Sequence, residues 1–323
     1  MQRRNFLAST LAIPAALGAN ATTNSAPAAS PNPPIHKGNF KISLKADALG
    51  LYSAGPQETL DAAINIGYEA LSVPAQWLEG MTMDQKKAYA AKARDNGISW
   101  GANGLPIEFR KSEEQFEKEL AALPMHAKNL ADIGVDRIGT WLISSSDEHT
   151  YNENMRFHAD RLRKAAEILK DNGIRLGLEY LGTTAVRQQG RFAWLSSGRE
   201  LKELIELIGT GNVGVVLDSY HWYTARETKE DLHIWKNEDI VAVDLNDAND
   251  QLQLDQQTDV ARELPGATGV IDLKTFITSL QEIGYDGPLR AEPFSKTLNM
   301  MEPEMAMRAT YRAMTMAVDQ ALG

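Results

Sequence analysis

Short apolar runs alternate with longer amphipathic runs along most of the chain. Runs at 40–45, 69–74, 98–102, 136–141, 174–179, 213–218, 240–245 and 288–293 have the length and β-branched content of strands. Helical spacing falls between them, near 57–66, 83–96, 112–133, 152–172, 198–208, 228–236, 272–283 and 303–321. Helical runs end at Gly67, Gly97, Gly134, Gly173, Gly209 and Gly284, which suits the left-handed residue that stops a helix. Thr82 with Gln85, and Ser112 with Gln115, have capping-box spacing. Eight strand–helix units predict a single α/β domain, a (β/α)8 TIM barrel over 39–323. A doubly wound open sheet competes with it. No G-x-G-x-x-G follows the first strand and no P-loop occurs, so the nucleotide-binding versions of that sheet lose support.

Four consecutive strands end on an acid: Glu179, Asp218, Asp244 and Glu292. Alternation sets each acid on the face that carries Gly177, Gly214 and Val216, Ala242 or Arg290. In a parallel barrel that face points inward, and the strand C-termini carry the chemistry. Four converging carboxylates repel one another in low-dielectric surroundings. Protons or a cation must offset them, and a divalent metal, Mn²⁺ or Mg²⁺, is the expectation. The plainer alternative is four unrelated acids capping the helices that follow.

Composition narrows the chemistry. The chain has 323 residues, 43% apolar and 24% charged, enough for one large domain. A net charge of −10 argues against nucleic acid or an anionic membrane surface as partner. With no cysteine, a thiol nucleophile, a disulfide framework and a Cys-based zinc site are excluded. Arg3-Arg4-Asn5-Phe6-Leu7, a mild apolar region and Ala19-Asn20-Ala21 fit a twin-arginine signal peptide over 1–21. The expected destination is the periplasm or the exterior. Residues 22–38, rich in Pro, Ala, Ser and Asn, read as a flexible linker that includes His36.

Several motifs then carry a resemblance: Gly177-Leu-Glu179-Tyr180, Leu217-Asp218-Ser-Tyr-His221-Trp222, Val243-Asp244-Leu-Asn-Asp247, Leu264-Pro-Gly266 and Ala291-Glu292-Pro-Phe294. The chain resembles the xylose-isomerase-like TIM-barrel superfamily of sugar isomerases and epimerases, which includes endonuclease-IV-like proteins. The resemblance covers about 40–321. It implies a metal held by Glu179, Asp218, the Asp244 position and Glu292, as in ketose 3-epimerases. It also implies an acid–base pair, Glu179 and Glu292, and a substrate-facing His221. The sequence departs from the pattern at strand seven, where Ala242 and Asp244 stand at the two histidine positions. Four carboxylates on one divalent ion would leave a charge of about −2 by simple counting, for which Arg290 or Lys296 could compensate.

On this reading the chain is a metal-dependent isomerase or epimerase that removes a proton beside the carbonyl of a small sugar. A lyase or dehydratase acting on a keto-sugar, keto-glycoside or inosose would start with the same step. A non-catalytic sugar-binding barrel is a third reading. Homo-oligomer formation stays open. Trp77, Asn103, Glu108, Trp141 and Trp222 follow strand ends, where a sugar could stack or hydrogen-bond. Lys45 lies near strand one. Arg262, in the long 246–269 loop, could grip a substrate oxygen, although such a loop more often carries a solvated arginine.

Overall fold

A computed structural model describes residues 36–51 and 55–323. The expected signal segment 1–21 and residues 22–35 of the expected linker lie outside the described residues. The strands are Lys41–Leu44, Ala70–Leu71, a split third strand (Ser99–Trp100 and Asn103–Gly104), Arg137–Leu142, Arg175–Tyr180, Val213–Asp218, Ile240–Asp244 and Pro288–Arg290. All neighbours among them pair in parallel, and strand one pairs with strand eight. The first half of strand three pairs with strand two and the second half with strand four. One stretch of chain therefore joins the two ends of the sheet, in a TIM-barrel fold. At the break, a Cβ on Gly101 would lie 2.5 Å from Ser43 Oγ, so the approach there requires glycine.

The helices follow from amphipathic spacing and from their ends. The Thr82–Gln85 box forms in both directions. Only half of the Ser112 box forms: Ser112 Oγ accepts from Gln115 N, while the Gln115 side chain turns to Glu119. All six glycines expected at helix ends have positive φ, between 70° and 104°. The predicted helix at 228–236 is only Lys229–Leu232, because Trp235 turns into the core. A short helix missing from the sequence reading, Ser219–Thr224, follows strand six directly, with Asp218 accepting from Tyr220 N as its cap. Of the terminal methionines, Met307 and Met314 are buried, whereas Met300, Met305 and Met316 are exposed.

The main apolar core lies between strands and helices. Inside the barrel a separate small cluster forms from Ala102, Val216 and Ala242. A Cβ on Gly177 would lie 2.7 Å from Val216 Cγ2, so the interior is filled tightly by small residues. His36 is buried, with Nε2 2.7 Å from Glu69 Oε2, and Lys37 N donates to Asp319. Among the described residues, no helix is long and apolar enough to cross a membrane.

Candidate active site

Strands five to eight deliver their acids to one place. Ligand-capable oxygens of Glu179, Asp218, Asp244 and Glu292 all lie within 4.8 Å of one another, and all four residues are buried. They gather there because each is the last inward-facing residue of its strand or stands just beyond it. Glu179 and Glu292 line a cavity of about 800 Å³ together with Lys45, Asn103, Trp141 and Arg262.

Protein cations reach into this cluster from three directions. Lys45 Nζ, just past strand one, donates to Glu292 Oε1 at 2.7 Å. Arg262 Nη1 donates to Asp218 Oδ2 at 2.8 Å and lies 3.5 Å from Glu292 Oε2. Arg290, on strand eight, holds both oxygens of Asp244 through Nε and Nη2, and its Nη1 donates to Ala102 O. Asn246 ties the acids together: its Nδ2 donates to Asp218 Oδ1, and its Oδ1 accepts from Glu292 N. Glu179 Oε1 is buried without a hydrogen-bond partner.

These surroundings separate the acids electrostatically. Burial, reinforced by the charges of Glu292, Asp218 and Asp244, pushes the Glu179 carboxyl well above its ordinary range. Burial also lifts Asp218, to about 6, against the opposing pull of Arg262. Burial would raise Glu292 too, but Lys45, Arg262 and Arg290 outweigh it and hold the group at about 2. His221 is fully buried, and its imidazole is held uncharged by burial and by Arg262. N–H donors face both ring nitrogens, Arg262 Nη2 at 2.9 Å from Nε2 and Gly182 N at 3.2 Å from Nδ1. A second N–H on the ring would therefore oppose a donor on each side.

Arg262 is not the solvated arginine that its polar loop suggested; it is 3% exposed. The loop folds back as a hairpin in which Asp247–Ala248 pairs with Arg262–Glu263. Asp247 anchors it by accepting from the backbone N–H groups of Ala248, Thr268, Gly269 and Ile271. The guanidinium lies over the rings of Tyr220 and Phe294.

The other expected contacts divide. Asn103, Glu108 and Trp141 line the cavity. Trp141 is 44% exposed, with Arg110 stacked on it at 4.0 Å, and Arg110 is held by Glu108 and Thr140. Trp222 does not line the cavity: it is buried against Phe276, and its Nε1 donates to Thr228 O. Trp77 sits in the 3-10 turn Ala75–Leu78 and packs on the main core, also away from the cavity. Both follow strand ends in sequence, but the short helix and the turn direct their indoles outward. Lys296 is exposed and compensates no charge in the cluster. Arg110 and Asp259 line the cavity and carry no motif in the sequence, whereas Phe294, which also lines it, closes the Ala291–Phe294 motif.

The family model for the xylose isomerase-like TIM barrel matches residues 60–315. The chain belongs to the xylose isomerase-like TIM barrel family. Within that family it is similar to a solved xylose isomerase domain protein from Alicyclobacillus acidocaldarius subsp. acidocaldarius. Identity is 32% over 88% of this chain and 100% of that one, with a TM-score of 0.76. The zinc-bound IOLI protein shares the fold at 20% identity, over 87% and 99% of the two chains, with a TM-score of 0.73. The inosose isomerase of Halalkalibacterium halodurans is 26% identical over 147 residues, 46% of this chain. The match spans about half the length of that curated relative, 49%.

The acidic cluster raises the question of a metal here. The four acids have the spacing of a cation site. As ligands for Mn²⁺ or Mg²⁺, however, they do not present an open set. Both oxygens of Asp244 are held by Arg290, Asp218 is bonded at both oxygens, and Glu292 Oε1 is held by Lys45. Glu179 Oε1 is buried without a partner, and among the described residues neither Glu179 Oε2 nor Glu292 Oε2 accepts a hydrogen bond, Glu292 Oε2 lying 3.5 Å from Arg262 Nη1.

Proposed function

We propose that this protein is an isomerase or epimerase acting on a carbohydrate that carries a carbonyl beside a C–H bond. The observation that carries the reading is the pairing of two buried carboxylates, Glu179 and Glu292, on one cavity that also holds two fixed cations, Lys45 and Arg262. Proton transfer beside a carbonyl needs a base, an acid and positive charge near the developing oxyanion. Those parts are present in one cavity. Glu292, ionised at neutral pH, removes the proton from carbon; Glu179, protonated, donates to the resulting enediolate. In the reverse direction the roles exchange. Lys45 and Arg262 stabilise the enediolate oxygen, and Asn103 and Trp141 orient the sugar ring. The inosose isomerase relative supports the reaction class. The pattern at Arg3–Leu7 supports twin-arginine export as part of this reading, and fractionation of cells for the processed protein would test it.

A second reading is a lyase on a larger keto-glycoside. The cavity volume, about 800 Å³, and the exposed Trp141 and Phe294 at its rim favour it, because a free monosaccharide would leave much of that space unfilled.

Incubation with a panel of ketoses, inososes and keto-glycosides in D₂O, followed by NMR, tests both readings. Deuterium entering at one carbon of an otherwise intact sugar is the expected result. Release of an aglycone or water favours the lyase. Failure to exchange a proton of any panel member removes the proton-transfer reading.

A further inference from the structure

Barrel geometry brings four acids together, and some positive charge must hold them there. The structure supplies that charge from side chains. Arg290 comes from the same strand face as Glu292 and fills the barrel interior beneath the cavity, with all its bonds made inside the protein. It fits because its surroundings are small: Ala102 and Ala242 are buried there, a Cβ on Gly177 would lie 2.7 Å from Val216 Cγ2, and one on Gly139 would lie 3.2 Å from it. Arg262 bridges Asp218 and Glu292 from the strand-seven loop, and Lys45 closes on Glu292 from strand one.

We propose that Lys45, Arg262 and Arg290 take the place of a divalent metal in this barrel. Three permanent cations facing four acids leave at most one negative charge, so a further doubly charged ion has little to neutralise. To enter, it would have to displace Arg262 from Asp218 and Lys45 from Glu292. Asp244 would stay closed to it, because Arg290 holds both of its carboxylate oxygens while also bonding Ala102 O. Such an ion would also sit beside fixed positive charge among buried side chains, where repulsion is less screened than in bulk water. Strand seven supports the same conclusion. Its acid is matched to an inward arginine on the adjacent strand, with Asp244 and Arg290 in register. The two residues form one unit.

This inference rests on the proposed reaction only in assigning Lys45 and Arg262 to the developing oxyanion. Guanidinium and ammonium donors already fixed by buried carboxylates can fill that role without reorganising. Arg290 does not line up with the sugar in the same way; it is a positioning residue that holds Asp244 and the floor of the cavity.

The test uses the mature protein, titrated with Co²⁺ and separately equilibrated with Mn²⁺, Mg²⁺ or Zn²⁺, desalted and submitted to elemental analysis. We expect far less than one equivalent of metal, no ligand-field absorption from Co²⁺, and no change in melting temperature with a chelator. One retained equivalent, or a saturable Co²⁺ spectrum, overturns the inference. The double variant Asp244→His/Arg290→Ser opens the fourth ligand and removes the interior cation. It is expected to bind Co²⁺ about 100-fold more tightly than the wild type, and a folded double variant with unchanged affinity also counts against the proposal. If that variant does not fold, the wild-type titration decides alone. Metal binding by the wild type would leave the isomerase reading intact. Absence of proton exchange on the sugar panel would defeat that reading and leave the titration result standing.

Discussion

Lys45 Nζ lies 2.7 Å from Glu292 Oε1, so the first and last strands of the barrel meet through a shared charge. The pair is nearly buried, and it helps to hold Glu292 at about 2 although burial works in the other direction. Glu292 is a group whose folded value is depressed. Its contribution to stability is complete above the unfolded value of 4.5 and is lost as pH falls toward about 2. Lys45→Met should weaken the protein at pH 7 by about 1–3 kcal/mol. It should also flatten the loss of stability across that acidic window. Urea unfolding at several pH values measures both, and a Lys45→Met curve parallel to the wild type would contradict the assignment.

Glu179 has the opposite sign. Its folded value is raised, so its favourable contribution is present below 4.5 and disappears as pH rises through the folded value. Glu179→Gln removes that cost. The variant should match the wild type near pH 4 and exceed it at pH 8 by about 1 kcal/mol, with proton exchange abolished. Calorimetry at the two pH values gives the comparison. A variant that gains nothing at pH 8 would mean that the buried carboxyl is not a burden on the fold.

Catalysis should depend on both acids. Glu292→Gln keeps size and shape but loses the base, and turnover should fall by about 10²–10⁴-fold with an unchanged circular dichroism spectrum. Full exchange activity in this variant would take Glu292 out of the reaction.

The Asp244–Arg290 pair makes a different demand. Arg290→Met alone leaves Asp244 charged and buried, and should cost about 3–5 kcal/mol. Adding Asp244→Leu should recover most of that loss, because an apolar pair needs no compensation. A double variant as weak as the single one would show that packing, and not charge, dominates the site.

Trp141 offers an exposed indole to the cavity, backed by Arg110. Trp141→Ala should raise KM about tenfold and change kcat little, since stacking on the ring serves ground state and transition state alike. Steady-state kinetics on the best panel substrate would separate the two effects.

Much of this architecture was legible in the sequence, for physical reasons. Strand alternation placed Glu179, Asp218, Asp244 and Glu292 on one inward face, and the structure gathers them. Glycines at helix ends marked the boundaries because backbone sterics leave few other choices there. Arg262 was harder to read. Its surroundings in sequence are polar, and its burial depends on a hairpin that Asp247 anchors through bonds to residues more than twenty positions away. Arg290 was visible as a charge near the acids, but its grip on Asp244 depends on the register between strands seven and eight. Trp222 and Trp77 show the converse failure: position after a strand end says little about direction once a short helix or turn intervenes.

Arg290 also holds Ala102 O, at the point where the third strand breaks and the sheet joins itself. The same guanidinium thus latches the seam of the staves and sets the charge beneath the mouth. Any lineage that exchanged this arginine for a neutral residue would have to re-knit the seam and rebalance the acids in a single stroke. That makes the arrangement hard to leave by small steps.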